Sequence, residues 1–131
     1  MGALPSPIER LAILVWAAEP ESPQRCATPF HFAAAAAALD AEVEMYFTAR
    51  SVRLLLPTVA AGLYPATGDG ALPLTHFIEQ AVEAGVRFFA CPTALAAHCA
   101  AGEALRADVR HAGAASFLGR TLDPAWRSLS F

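Results

Sequence analysis

The stretch "VRFFACPTALAAHCAAG", Val86 to Gly102, sets the fold class, because an apolar strand-like run meets an alanine-rich helical run at a Cys–Pro junction. Val86, Phe88, Phe89 and Ala90 favour a strand, whereas Thr93 to Ala101 is mostly Ala and Leu and favours a helix. Pro92 sharpens the boundary: the residue before a proline is pushed toward extended geometry, and proline fits the first turn of a helix. Cys91 is therefore expected at the N-cap, where unpaired N–H groups and the helix dipole favour a thiolate. The local sequence leaves two readings open, a nucleophilic sulfur or a packing cysteine that ends a buried strand.

Cys99 follows eight residues later. At a rise of roughly 1.5 Å per residue the two Cα atoms would lie about 12 Å apart along one helix, beyond the limit of about 7 Å for a disulfide. His98, about 10 Å along the same helix, is too distant to act as the base for Cys91. Cys99 reads as a buried thiol packing as a small hydrophobe.

Working outward, strand and helix alternate along the chain. "LAILVWAA" within Ile8 to Ala18 is a continuous apolar run suited to a central strand, and Glu19 to Pro29 is a polar, proline-rich loop. Thr28–Pro29 offers a cap and first turn for an alanine-rich helix over Phe30 to Ala41. "AEVEMYFTA" gives a second strand ending near Thr48, and "RSVRLLLPTVAAG" a short helix stopped around Pro57. Leu74 to Ala84 has helical periodicity, with Gly85 as its stop before the Val86 strand. After Cys91 come a short strand in "RADVRHAG", a helix in "AASFLGRTL" and a last strand or extended tail in "AWRSLSF". The expected fold is α/β, a three-layer, mainly parallel sheet of about five strands with helices on both faces. The 131 residues suit one domain, 1–131.

Composition narrows the function classes. The chain is 56% apolar and only 16% charged, which suits an oligomer that covers part of its surface. The net charge of −3, with dispersed arginines, argues against nucleic acid as a partner. No apolar stretch reaches transmembrane length, and Glu9 and Arg10 directly precede the first apolar run, so neither a membrane span nor a secretory signal is expected and the cytoplasm is the default. Three widely spaced cysteines and four scattered histidines form neither a disulfide framework nor a metal pattern.

In parallel α/β sheets the reaction site lies beyond the carboxyl ends of the strands. The residues expected there are the Cys26 loop, Thr48 to Arg53, and Cys91. Cys26, taken as an exposed loop thiol, is a candidate relay thiol, and His31, at the start of the first helix, a candidate assistant to Cys91. Thr48, Arg50, Ser51 and Arg53 are candidate substrate-binding residues, although solvated surface charge also accounts for the arginines.

The order "LAILVWAA", "FHFAAAAAALDAEVEMYFTARSVRLLLP", "HFIEQAVEAGVRFFACPTALAAH" resembles the DsrE/DsrF-like family of small sulfur-handling proteins over nearly the full chain. The resemblance implies a flavodoxin-type unit assembled as a homo-oligomer, a trimer or hexamer. It also implies a persulfide carried on Cys91, exchanged with a sulfur-donor or acceptor protein, with no metal or organic cofactor. Where relatives commonly have a glycine, this chain has Ser51, and the segment after the cysteine reads "PTALAAH". Two other readings fit the same fold: a small-ligand-binding module, for which no GxGxxG or GxxxxGK[ST] loop is present, and a non-catalytic oligomer subunit.

Overall fold

The structure, a computed structural model, describes residues 8–131; the start of the chain, on which the expectation of no secretory segment partly rests, lies outside them. Five strands form one fully parallel sheet: β1 (Arg10–Val15), β2 (Glu42–Phe47), β3 (Arg87–Ala90), β4 (Val109–His111) and β5 (Trp126–Ser130). Their spatial order is β4-β3-β2-β1-β5.

That order dictates where the helices go. The first three connections each step the same way across the sheet, and right-handed crossovers place them on one face. They carry α1 (Ala27–Ala38), a 3-10 stretch at Ala49–Leu55, α2 (Pro57–Ala61), α3 (Leu74–Glu83) and α4 (Pro92–His98). The chain then reverses from the β4 edge to the β5 edge, so its connecting helix, α5 (Ala114–Thr121), lies on the opposite face. The result is the three-layer, flavodoxin-like α/β arrangement expected, with a thick helical layer on one side and a single helix on the other.

Strand alternation feeds the two faces separately. Ile13, Val15, Val43, Met45, Phe47, Phe88 and Ala90 point into the main core with Phe30 of α1 and Ile78 of α3. Phe30, Phe47 and Phe88 meet there at centroid distances of 5.6 to 5.9 Å, each with at most 2% of its surface exposed. Burying each such ring contributes roughly 1.5–3 kcal/mol. Ala12, Tyr46 and Trp126 form the smaller core under α5, joined by Leu14, Phe89 and Phe117.

The structure corrects several boundaries. Helix α1 starts at Ala27, so Thr28 and Pro29 lie inside its first turn and Cys26 takes the cap position. The segment expected as one short helix stopped around Pro57 is instead a 3-10 stretch followed by α2, which Pro57 begins. A proline lacks the N–H that the first helical turn leaves unused, which makes it a starter at this position. Gly85, at φ +91°, ends α3 as expected, since the left-handed turn suits a residue without Cβ.

Candidate functional site

Beyond the carboxyl ends of β1, β2 and β3, on the α5 side of the sheet, lies a cleft of about 260 Å³. Leu14, Tyr46, Phe47 and Thr48 reach it from β1 and β2, and Cys91 from the β3–α4 junction. Its other wall is Ala112, Gly113, Ala114, Phe117 and Leu118, the entry to α5 and its first two turns.

Cys91 caps α4 with extended backbone, φ −67° and ψ 121°, and Pro92 occupies the first turn, as its junction sequence requires. Its N–H donates to the Phe47 carbonyl at 2.9 Å, continuing the β2–β3 ladder one residue past the strand. The half-buried sulfur thus has a fixed backbone beneath it. The Ala94 N–H, with the Thr93 N–H and the hydroxyls of Thr48 and Thr93, turns positive charge toward this sulfur; together they hold the Cys91 thiol below its ordinary pKa, against the cost of partial burial. A Cβ added at Gly113 would sit 3.5 Å from Sγ, so the absent side chain leaves the sulfur open toward the cleft.

Of the residues singled out from sequence, Thr48 and Cys91 come together in the cleft. Arg50 is ion-paired with Glu21. Ser51 is fully buried and its single hydroxyl proton is shared between the Val15 carbonyl at 2.8 Å and the Thr48 carbonyl at 2.6 Å, binding the end of β1 to the end of β2. Arg53 makes two bonds to Glu103, at 2.9 and 3.1 Å, and donates to the His98 carbonyl, tying the 3-10 stretch to α4. His31 is exposed on α1 and does not line the cleft.

The reading of Cys26 as an exposed loop thiol is corrected. Its side chain is fully buried in the main core and donates to the Glu19 carbonyl at 3.2 Å. Burial pushes its pKa up to about 11, so it is held as a neutral thiol. Cys99, expected to be buried, is half-buried at the end of α4, and its pKa is also raised by burial.

Sequence reasoning missed the α5 wall, whose residues stand more than 20 positions after Cys91 and meet it through the reversal of strand order. Gly113, between a strand and a helix in "HAGAASF", was the available signal for a close approach. Glu44 was also missed. Alternation in "EVEMYF" reads as polar side out, yet Glu44 is 1% exposed. Its carboxylate accepts from Tyr46 Oη at 2.8 Å and Arg120 Nε at 2.9 Å, and pairs with Arg87 at 2.9 Å. Arg120 also lies 4.3 Å over the Trp126 ring, so this cluster clamps α5 to the sheet.

These features define a small parallel α/β protein with a half-buried thiol at a strand-end cleft. The model of the DsrE/DsrF-like family matches residues 11–131, and the chain belongs to that family. The crystal structure of the ychN protein from E. coli is similar in fold, with a TM-score of 0.73 at 15% identity, covering 95% of this chain and 100% of that one. No curated protein matches the chain.

Proposed function

We propose that the protein is a sulfur-relay carrier in which Cys91 accepts a sulfane sulfur, holds it as a persulfide and releases it to a second thiol. Membership of the DsrE/DsrF-like family supports a sulfur-relay context. The observation that carries the reading is the Cys91 sulfur itself, in the lining of a cleft and facing donors that lower its pKa. A thiolate is the attacking species in sulfur exchange, and the chemistry requires no metal or organic cofactor. In this reading Thr48 is the substrate-side hydroxyl, while Cys26, enclosed as a neutral thiol, and the exposed His31 take no part.

The working form is a homo-oligomer, a trimer or hexamer, in the cytoplasm, exchanging sulfur with a donor or acceptor protein. Its support is the low charge content and the apolar surface left by Trp16, Leu122 and Leu129, each at least 45% exposed. Among the described residues no helix is long and apolar enough to cross a membrane.

Intact-mass spectrometry after incubation with a sulfane-sulfur donor tests the carrier reading, comparing wild type with Cys91→Ser, Cys26→Ser and Cys99→Ser. A one-sulfur gain lost only in Cys91→Ser is the expected result. Absence of any gain, with slow alkylation of Cys91 in the folded protein, would make it a packing cysteine. The apolar cleft would then favour a second reading, a small-ligand-binding module, which ligand-induced stabilisation without sulfur transfer would support.

A further inference from the structure

We infer that the cleft selects persulfide sulfur carriers whose organic group is small, uncharged and apolar, aliphatic or aromatic, over thiosulfate or persulfides whose organic group carries a carboxylate. The inference rests on the proposed role of Cys91 and adds the substrate class. It starts from what the cleft lacks: among the described residues none lining it is charged, and beside Cys91 only Thr48 and Tyr46 bring polar side-chain atoms. Neither supplies a counter-charge. The Tyr46 hydroxyl donates to Glu44, and the Thr48 hydroxyl faces the Cys91 sulfur.

Three arginines of the neighbouring elements are committed elsewhere. Arg120, farther along α5, is bound to Glu44 and stacked on Trp126. Arg50 and Arg53, in the 3-10 stretch that follows Thr48, pair with Glu21 and Glu103. A carrier whose organic group is anionic would give up that group's water shell with no cation in the cleft lining to replace it, whereas an apolar group would cover Leu14, Phe117 and Leu118. Leu118, 51% exposed at the cleft, extends the apolar surface outward. At about 260 Å³ the space is below the roughly 300–1,000 Å³ of pockets for drug-sized ligands, which suits a short chain or a single ring.

The step balances without an outside oxidant or reductant. The Cys91 thiolate attacks the outer sulfur of the protonated persulfide R–S–SH, a Cys91 S–S bond forms as the S–S bond between that sulfur and the R–S group breaks, and R–S⁻ leaves with the electron pair. The terminal proton stays on the transferred sulfur, giving Cys91–S–SH.

Two measurements on the full-length protein test the inference. The first is site-resolved alkylation of Cys91 by N-benzyl iodoacetamide and by iodoacetate, each rate divided by that of a small model thiol. The second is the rate of one-sulfur mass gain from benzyl persulfide, released in situ, and from glutathione persulfide. A normalised preference of at least about tenfold for the benzyl reagent in both is expected, the scale at which an apolar pocket discriminates. Leu118→Arg, at a half-exposed position, should reduce that preference several-fold, and Gly113→Val should slow the benzyl reagents more than iodoacetamide by narrowing the space at Sγ. Equal normalised rates for apolar and anionic reagents in the wild type would overturn the inference. Benzyl-selective alkylation with no sulfur gain from any donor would overturn the relay reading, and with it the assignment of the cleft to sulfur carriers.

Discussion

Glu44 supplies the sharpest test of how the α5 side of the sheet is held together. Removing one member of a buried ion pair costs about 3–5 kcal/mol when the partner charge stays buried. Here the Arg87 and Arg120 side chains are 50% and 40% exposed, so their guanidinium groups rehydrate once the carboxylate is gone. What remains is the Tyr46 hydroxyl, on a residue only 4% exposed, which loses its acceptor at a cost of about 1–3 kcal/mol. The space vacated by the side chain and the loosened hold on α5 add to this. Glu44→Ala should therefore destabilise the protein by about 2–3 kcal/mol, and Glu44→Gln, which keeps an acceptor for Tyr46, by about 1 kcal/mol. Urea unfolding followed by far-UV circular dichroism reads both, and at a slope of roughly 1–3 kcal/mol/M the alanine variant should lose about 1–2 M in midpoint. A double-mutant cycle with Arg120→Ala should return a coupling within about 0.5–3 kcal/mol. If Glu44→Ala costs less than about 0.5 kcal/mol, or matches Glu44→Gln, the clamp is not what holds this face.

Two further predictions concern the cysteines. Because its folded pKa is depressed, Cys91 should reach half-maximal alkylation rate at a pH below the roughly 8.5 of a free thiol, and Thr48→Val should move that midpoint upward; a wild-type profile coincident with a model thiol would refute the assigned donors. Cys26 works in the opposite sense: its pKa is raised to about 11, so its contribution to stability is complete below the unfolded-state value near 8.5 and is lost as pH rises through 11. Denaturation midpoints for wild type and Cys26→Ala between pH 8 and 11 should therefore converge as the pH rises, and parallel curves would show that the thiol is not protected from ionisation.

The order of elements was legible because each depends on neighbours in sequence. The apolar run in Arg87–Ala90, the proline at position 92 and the glycine at position 85 act within a few residues, so the β3–α4 junction and the position of Cys91 followed from them. The same local reasoning misplaced Pro57, where the proline's compatibility with a first turn outweighed its role as a breaker. It also left Cys26 exposed. "EPESPQRCATP" is polar around it, and only the packing of the first helix on the sheet turns that one side chain inward.

By itself, then, the sequence determined the alternation of strands and helices and put a cysteine at a strand end with an activating turn after it. Tertiary structure alone decided what surrounds that cysteine. The chain reverses direction after β4 and crosses to the far edge, and the handedness of that crossover carries α5 to the opposite face. That single topological step brings Gly113 beside Cys91, places Phe117 and Leu118 in the same cleft, and encloses Glu44 beneath Arg120. Neither arrangement is encoded in the residues adjacent to Cys91 or Glu44, because contacts between distant segments depend on strand order, which local propensity does not specify.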